Sequence, residues 1–138
     1  MLKQRLIHPE ILDALAAAGQ GAKVLIADGN YPASTMLGEN AALVYLNLAP
    51  DKPTVTEVLE VLLTVIPVED ATVIEPEAGA PPPIFRDFHR LMPDVELNLV
   101  TRFEFYEEAA GPDICLQIVT GDQRPYVTLL LTIGPVIS

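Results

Sequence analysis

Asp28 follows an apolar run, Val24-Leu25-Ile26-Ala27, and opens a polar, turn-forming loop. In α/β sheets, ligands sit beyond the carboxyl ends of strands, and a carboxylate there can accept hydrogen bonds from hydroxyls or act as a general base. The competing reading is local: Asp28 caps the turn it makes with Gly29 and Asn30. Arg102 opens a short predicted helix, where its guanidinium either faces solvent, pairs with Asp28 or holds a ligand oxygen. Tyr126 follows Pro125 in the last predicted turn, and its phenol either packs or donates a hydrogen bond. Phe103, Phe105 and Tyr106 include candidates for the core. Glu75, Glu77, Glu107 and Glu108 read as solvated charges, and His8 and His89 as ordinary helix-start and surface residues. Gln20 stands between Gly19 and Gly21, just upstream of the apolar run.

The remaining composition narrows the chemistry. The 138 residues carry 8 basic and 19 acidic side chains, a formal charge of −11. Such a surface repels phosphate backbones, so nucleic acid is not an expected partner, whereas a neutral ligand such as a sugar is not penalised. Cys115 is the sole cysteine, which rules out an internal disulfide and a cysteine-based metal site. No Walker loop, nucleophile elbow or metal-ligand cluster is present, so neither cofactor nor metal is expected. Gly19-Gln20-Gly21 lies before a strand, the reverse of a dinucleotide-binding loop. The N-terminus lacks the apolar core and cleavage site of a signal peptide, and no uncharged apolar stretch is long enough to span a bilayer. A cytoplasmic protein with no membrane association is the expectation.

The elements that must position these residues follow from pattern. A first helix is predicted over "HPEILDALAAAGQG", with Pro9 in its first turn and Gly19 or Gly21 ending it. "KVLIAD" is a short strand buried on both faces, residues 28–40 are loop, and "AALVYLNL" is a second strand. "TVTEVLEVLLTVIP" is a helix with Thr54 and Glu57 at capping-box spacing and Pro67 as its stop. "DATVIEP", "PIFRDFHRLM", "VELNLVT" and "RFEFYEEAAG" continue the alternation as strand, helix, strand, helix. "DICLQIVT", the turn "GDQR" and "YVTLLLTIG" close the chain as two adjacent strands, a possible hairpin. This alternation predicts an α/β fold: a single three-layer domain over residues 1–138, with helices on both faces of a mixed sheet. The high apolar fraction favours burial between subunits.

In order and spacing, these pieces resemble the RbsD/FucU family of ribose pyranases and fucose mutarotases. "HPEILDALAAAGQGAKVLIADGNYPA" is similar to the family's opening helix, glycine turn, strand and Asp-containing loop. "RFEFYEEA" resembles the fucose-type arginine-aromatic segment, and "VTGDQRPYVTLLLTIGPV" the closing segment with its Tyr-x-Asn. The resemblance implies an RbsD-like fold, a ring-like homo-oligomer (often a decamer of two pentamers) and a monosaccharide pocket at subunit interfaces. It also implies interconversion of cyclic sugar forms, pyranose with furanose or α with β anomers, of a sugar such as fucose or ribose. Family positions map onto Gln20, Asp28, Arg102, Tyr126 and Thr128. Asp28 and Tyr126 are the expected catalytic pair, with Gln20, Arg102 and Thr128 binding substrate. Three residues depart from the pattern. Gln20 stands where the family carries a histidine, Ser34 follows Pro32-Ala33 where the fucose type often has a second histidine, and Thr128 replaces the asparagine. An amide hydrogen-bonds but does not exchange a proton near neutral pH. The alternatives are therefore a sugar-binding or sensing protein of the same family with weak or no catalysis, and an oligomeric scaffold with a vestigial pocket.

Overall fold

The computed structural model describes residues 1–138. Helix α1 (Pro9–Ala17) begins at Pro9, and the His8 Nδ1 accepts a hydrogen bond from the Ile11 N–H. The helix ends at Ala18, already extended, before either predicted glycine; Gly21, at φ +89°, then turns the chain into β1 (Lys23–Ala27). The second strand shortens to β2 (Ala42–Tyr45). Helix α2 (Val55–Leu62) has the predicted capping box, with Thr54 and Glu57 satisfying each other's backbone N–H groups. It stops short of Pro67, because Thr64 and Val65 make tighter i→i−3 bonds to Val61 and Leu62. The rest are β3 (Val68–Ile74), α3 (Ile84–Leu91), β4 (Leu97–Val100), α4 (Arg102–Ala109), β5 (Ile114–Val119) and β6 (Leu129–Ile133).

All six strands form one sheet in the order β2-β5-β1-β6-β3-β4. β6 runs antiparallel to both its neighbours, and every other pairing is parallel. The predicted adjacency of the last two strands is overturned here. β1 lies between them, with Ala27 opposite Val119 of β5 and Ile26 opposite Leu129 of β6. The reason is physical. Val24 to Ala27 are all buried, so the strand's N–H and C=O groups need backbone partners on both edges. Residues 120–128 also exceed a typical hairpin loop of about 2–5 residues, which lets them cross over the end of β1.

Side-chain alternation along the strands divides the core in two. Val24, Ile26, Leu116, Ile118, Leu129 and Leu131 face α1, α2 and α3. Leu25, Ala27, Val119 and Leu130 face α4 and the 28–40 loop, where Phe105, Ala109, Tyr31 and Ala33 cover them. Helices therefore cover both faces of the mixed sheet, as predicted. A shift in the β1–β5 register between Lys23 and Val24 places Ile114 with the second cluster. Glu108 corrects another expectation. Its carboxylate meets the Lys23 Nζ at 2.7 Å in a partly buried ion pair that ties α4 to the foot of β1. Of the aromatic run, Phe105 is fully buried, while Phe103 is 82% exposed.

Gly121 sits where backbone crosses backbone. A Cβ there would collide with the Ala49 carbonyl, and the residue bonds Pro53 and Asp51 through its own amide and carbonyl. Gly121→Ala is expected to destabilise the fold by about 1–3 kcal/mol, as overpacking does. Urea denaturation should show the midpoint falling with an unchanged slope.

Candidate functional site

The sheet order brings one set of chain ends together. The carboxyl ends of β1, β3, β4 and β5 meet the amino end of β6, because β6 runs the other way. Asp28 leaves β1 there, Arg102 opens α4 just after β4, and Tyr126 and Thr128 lead into β6. The sequence-predicted Asp28, Arg102, Tyr126 and Thr128 thus line one cavity of about 480 Å³. A second cavity of about 540 Å³ shares Ile74, Arg102 and Tyr126 with it. Both fall within the about 300–1,000 Å³ of small-molecule sites.

Two carboxylates stand at this end of the sheet, and their hydrogen bonds separate their roles. Asp122 is fully buried. Its Oδ1 accepts from the Arg124 N–H and Nε, both at 3.0 Å; its Oδ2 accepts from the Val55 N–H at 2.9 Å and the Arg124 Nη2 at 2.6 Å. A carboxylate has about four lone-pair sites, and here the protein fills them all. Burial alone would raise this carboxyl. The hydrogen bonds from Arg124 and Val55, with the guanidinium charge, outweigh it and hold the group below its ordinary value. Asp28 differs. Its Oδ1 accepts only from the Asn30 N–H at 2.7 Å, and its Oδ2 only from the Thr128 hydroxyl at 2.6 Å. Two acceptor sites remain, on a partly exposed group in a cavity. Asp122 is the structural carboxylate and Asp28 the one able to engage a ligand.

Thr128 does two things at once. Its hydroxyl donates to the Asp28 carboxylate and accepts from the Asp28 N–H at 3.0 Å. The single hydroxyl proton is thereby committed, so Thr128 orients Asp28. Asp28 also caps its own turn through Asn30, so the local reading and the site reading hold together. Arg102 is exposed and makes no ion pair with Asp28 or any other carboxylate. Tyr126 adopts φ 62°, a left-handed conformation uncommon outside glycine. The structure over-determines it, since Arg124 is locked to Asp122 two residues before and Thr128 to Asp28 two residues after.

Gln20 lies elsewhere. It is exposed at the opposite end of β1 and its Nε2 faces the Glu69 Oε2 at 3.5 Å. At about 3.3 Å per residue, the five residues of β1 alone put some 16 Å between it and Asp28. Residues not among those assigned to the site from sequence join the cavity instead: Tyr31, Asn30, Gln123, Arg124 and Tyr106, the last of the aromatic run that includes core candidates. The one local signal for Tyr31 was an aromatic residue directly inside the Asp28 loop. Asp122 was not legible locally: Arg124 stands two residues on, but the Val55 and Gly29 amides that place it are remote in sequence. Three of the four tyrosines, Tyr31, Tyr106 and Tyr126, line this cavity. The chain contains no group of three or more His, Cys, Asp or Glu that could hold a metal ion, and no helix long and apolar enough to cross a membrane.

The chain is a three-layer α/β protein with a carboxylate- and tyrosine-lined cavity at the strand ends. The model of the RbsD / FucU transport protein family matches residues 1–136, and the chain belongs to that family. It is 26% identical over 144 residues to the fucose mutarotase of Mus musculus, covering 94% of this chain and 90% of that protein. It is 25% identical over 134 residues to the D-ribose pyranase of Bacillus cytotoxicus, covering 97% and 98%. The structure of Bacillus subtilis RbsD complexed with D-ribose superposes with a TM-score of 0.86 at 22% identity, over 99% of this chain and 100% of that one, and shows the same fold.

The Asp122 geometry sets a pH dependence. Its carboxyl is depressed in the folded state, so its contribution is complete above the ordinary value of 3.8 and is lost as pH falls below it toward the folded value. Breaking a buried pair costs about 3–5 kcal/mol, but Arg124 is 39% exposed and can rehydrate. Asp122→Asn is therefore expected to cost about 2 kcal/mol at neutral pH. It should also flatten the stability–pH curve below pH 3.8, as read by denaturant titrations across the acid range.

Proposed function

We propose that this chain is a monosaccharide mutarotase-type isomerase that interconverts cyclic forms of a sugar such as fucose or ribose. The observation that carries the reading is the half-satisfied Asp28 carboxylate, fixed by Thr128 and Asn30 in a tyrosine-lined cavity. Its family relatives named fucose mutarotase and D-ribose pyranase support it. Asp28 takes the proton of the anomeric hydroxyl. The ring carbon–oxygen bond breaks as the carbonyl forms, and the Tyr126 phenol delivers a proton to the ring oxygen. Rotation about the freed bond and the reverse steps give the other anomer or ring size. Arg102, without a carboxylate partner, holds sugar hydroxyls through its planar donor fork.

Gln20 enters such a pocket only from a neighbouring copy, since β1 separates it from Asp28 within one chain. The proposed assembly is accordingly a homo-oligomer, pentamer-based and decameric in the family pattern, with the pocket at its interfaces. Exposed Phe103 beside the second cavity supports this placement. A cytoplasmic setting in carbohydrate metabolism accompanies it. The alternative, a sugar-binding or sensing protein without useful catalysis, is favoured by one residue: an amide at position 20 cannot relay protons.

Exchange NMR with L-fucose, D-ribose and related sugars separates the two readings. Anomer exchange faster than buffer is the expected result, and Asp28→Asn should reduce the protein-dependent part by about 10²–10⁴-fold. Saturation transfer to a sugar with exchange no faster than buffer would leave only the binding protein. No transfer across the panel would remove both readings. Gln20→His is expected to raise the exchange rate.

A further inference from the structure

Tyr31 is among the cavity residues that the proposed chemistry does not use. It is 8% exposed, and its hydroxyl has no hydrogen-bond partner in the chain. The ring is held in place: it stands edge-on to Tyr106 with centroids 5.4 Å apart and planes at 89°, and it packs with Ala27, Ala33 and Phe105. Tyr31 lines the same cavity as Asp28. Burial first, then the nearby Tyr106 and the Asp28 carboxylate, push its phenol up to about 12. The proton therefore stays on the oxygen at any physiological pH, and the group is a donor. A buried donor with no partner is costly, and this one belongs to a residue that lines the same cavity as a carboxylate with two acceptor sites left.

We propose that Tyr31 is a ligand-contacting specificity residue whose phenol donates a hydrogen bond to the same sugar hydroxyl that donates to Asp28. This rests on the sugar-binding reading above. Acceptor and donor side by side recognise a hydroxyl in both its capacities. A sugar lacking that hydroxyl leaves both protein groups unpaired, which is how sites reject deoxy analogues. The other unpartnered buried atom, the Gln117 Oε1, supplies the competing explanation. Gln117 lies on the same face and its Nε2 reaches the Ala33 carbonyl at 3.4 Å, so its amide oxygen could take the Tyr31 proton within the core. Both atoms are sealed from solvent, but Tyr31 belongs to the lining of the cavity and Gln117 does not.

The test is affinity, measured by calorimetry or NMR titration, for D-ribose, L-fucose and their single-deoxy analogues. Wild-type protein and Tyr31→Phe are compared; the variant keeps the ring and removes only the unpartnered oxygen. The expected result has two parts. Tyr31→Phe binds the parent sugar about 10-fold more weakly. For one deoxy analogue, wild type and variant bind alike, because the hydroxyl that Tyr31 reads is gone. Equal affinities for every sugar, with lowered thermal stability, would overturn the proposal and assign the phenol to Gln117. Equal weakening across all analogues would also overturn it, by showing a packing effect. Wild-type protein that rejects one deoxy analogue no more than the others overturns it without any variant. If wild type binds no sugar at all, the functional reading itself fails and takes the inference with it. A wild type that binds sugar while the variant binds equally defeats the inference alone.

Discussion

The cavity depends on a buried carboxylate that takes no part in it. Asp122 lies over the end of β1 and is bound from three directions: Arg124 on its own loop, the first amide of α2, and Gly29 in the Asp28 loop, whose N–H reaches the Asp122 carbonyl at 2.8 Å. Thr120 adds a further tie, its hydroxyl donating to the Ala27 carbonyl and accepting from the Asp122 N–H. Burying a charge this deeply is unfavourable unless every lone pair is met. Here four donors meet it. Arg124 extends the hold to Thr56 of α2 at 2.8 Å and toward Asp87 of α3. One ion pair therefore fixes the 120–128 crossing relative to the strand end and to two helices. The positions of Tyr126 and Thr128 follow from it.

That crossing is also where sequence reading and structure part. Elements with local causes were readable: the capping box of α2, the doubly buried β1, the Asp28 loop, the alternation that implies an α/β sheet. Each rests on residues within a few positions of one another. The pairing of β5 and β6 was not readable, because strand order is decided by which edges remain to be satisfied once β1 is in place. "GDQR" has the composition of a turn, and its aspartate is indistinguishable in sequence from a solvated one. Arg124 in the same turn meets it, and the amide of Val55, more than sixty positions away, ties the pair to α2 and makes it structural. Glu108 failed for the same reason, since its partner Lys23 lies 85 positions upstream.

The candidate site was readable to the extent that its residues flank strands. Asp28, Arg102, Tyr126 and Thr128 all stand at strand ends on one side of the sheet, so the fold class alone brings them close. Gln20 stands at the other end of β1 and no folding of one chain can move it to Asp28. The sequence proximity of Gln20 and Asp28 is misleading because a strand is the most extended way to separate two residues. Tyr31 shows the converse. It belongs to a loop with no periodicity, and its burial depends on α4 supplying Tyr106 and Phe105.

The contrast between the two aspartates bears on how such a site keeps its chemistry while its neighbours change. Thr128 gives Asp28 one donor and takes one from its backbone, so an oxygen at this position serves as both acceptor and donor. An asparagine there would carry the same pair of functions on two atoms instead of one, with a second amide proton left over for a ligand. Threonine has no proton to spare. The hydroxyl therefore fixes the orientation of the carboxylate and has no proton left for a ligand. Among the donors that line the cavity, the Arg102 guanidinium has no carboxylate partner and the Tyr31 phenol alone is buried without a partner. In the proposed reading, recognition therefore rests more on the loop that follows β1 than on side chains at the start of β6, around a carboxylate that Thr128 and Asn30 hold in place.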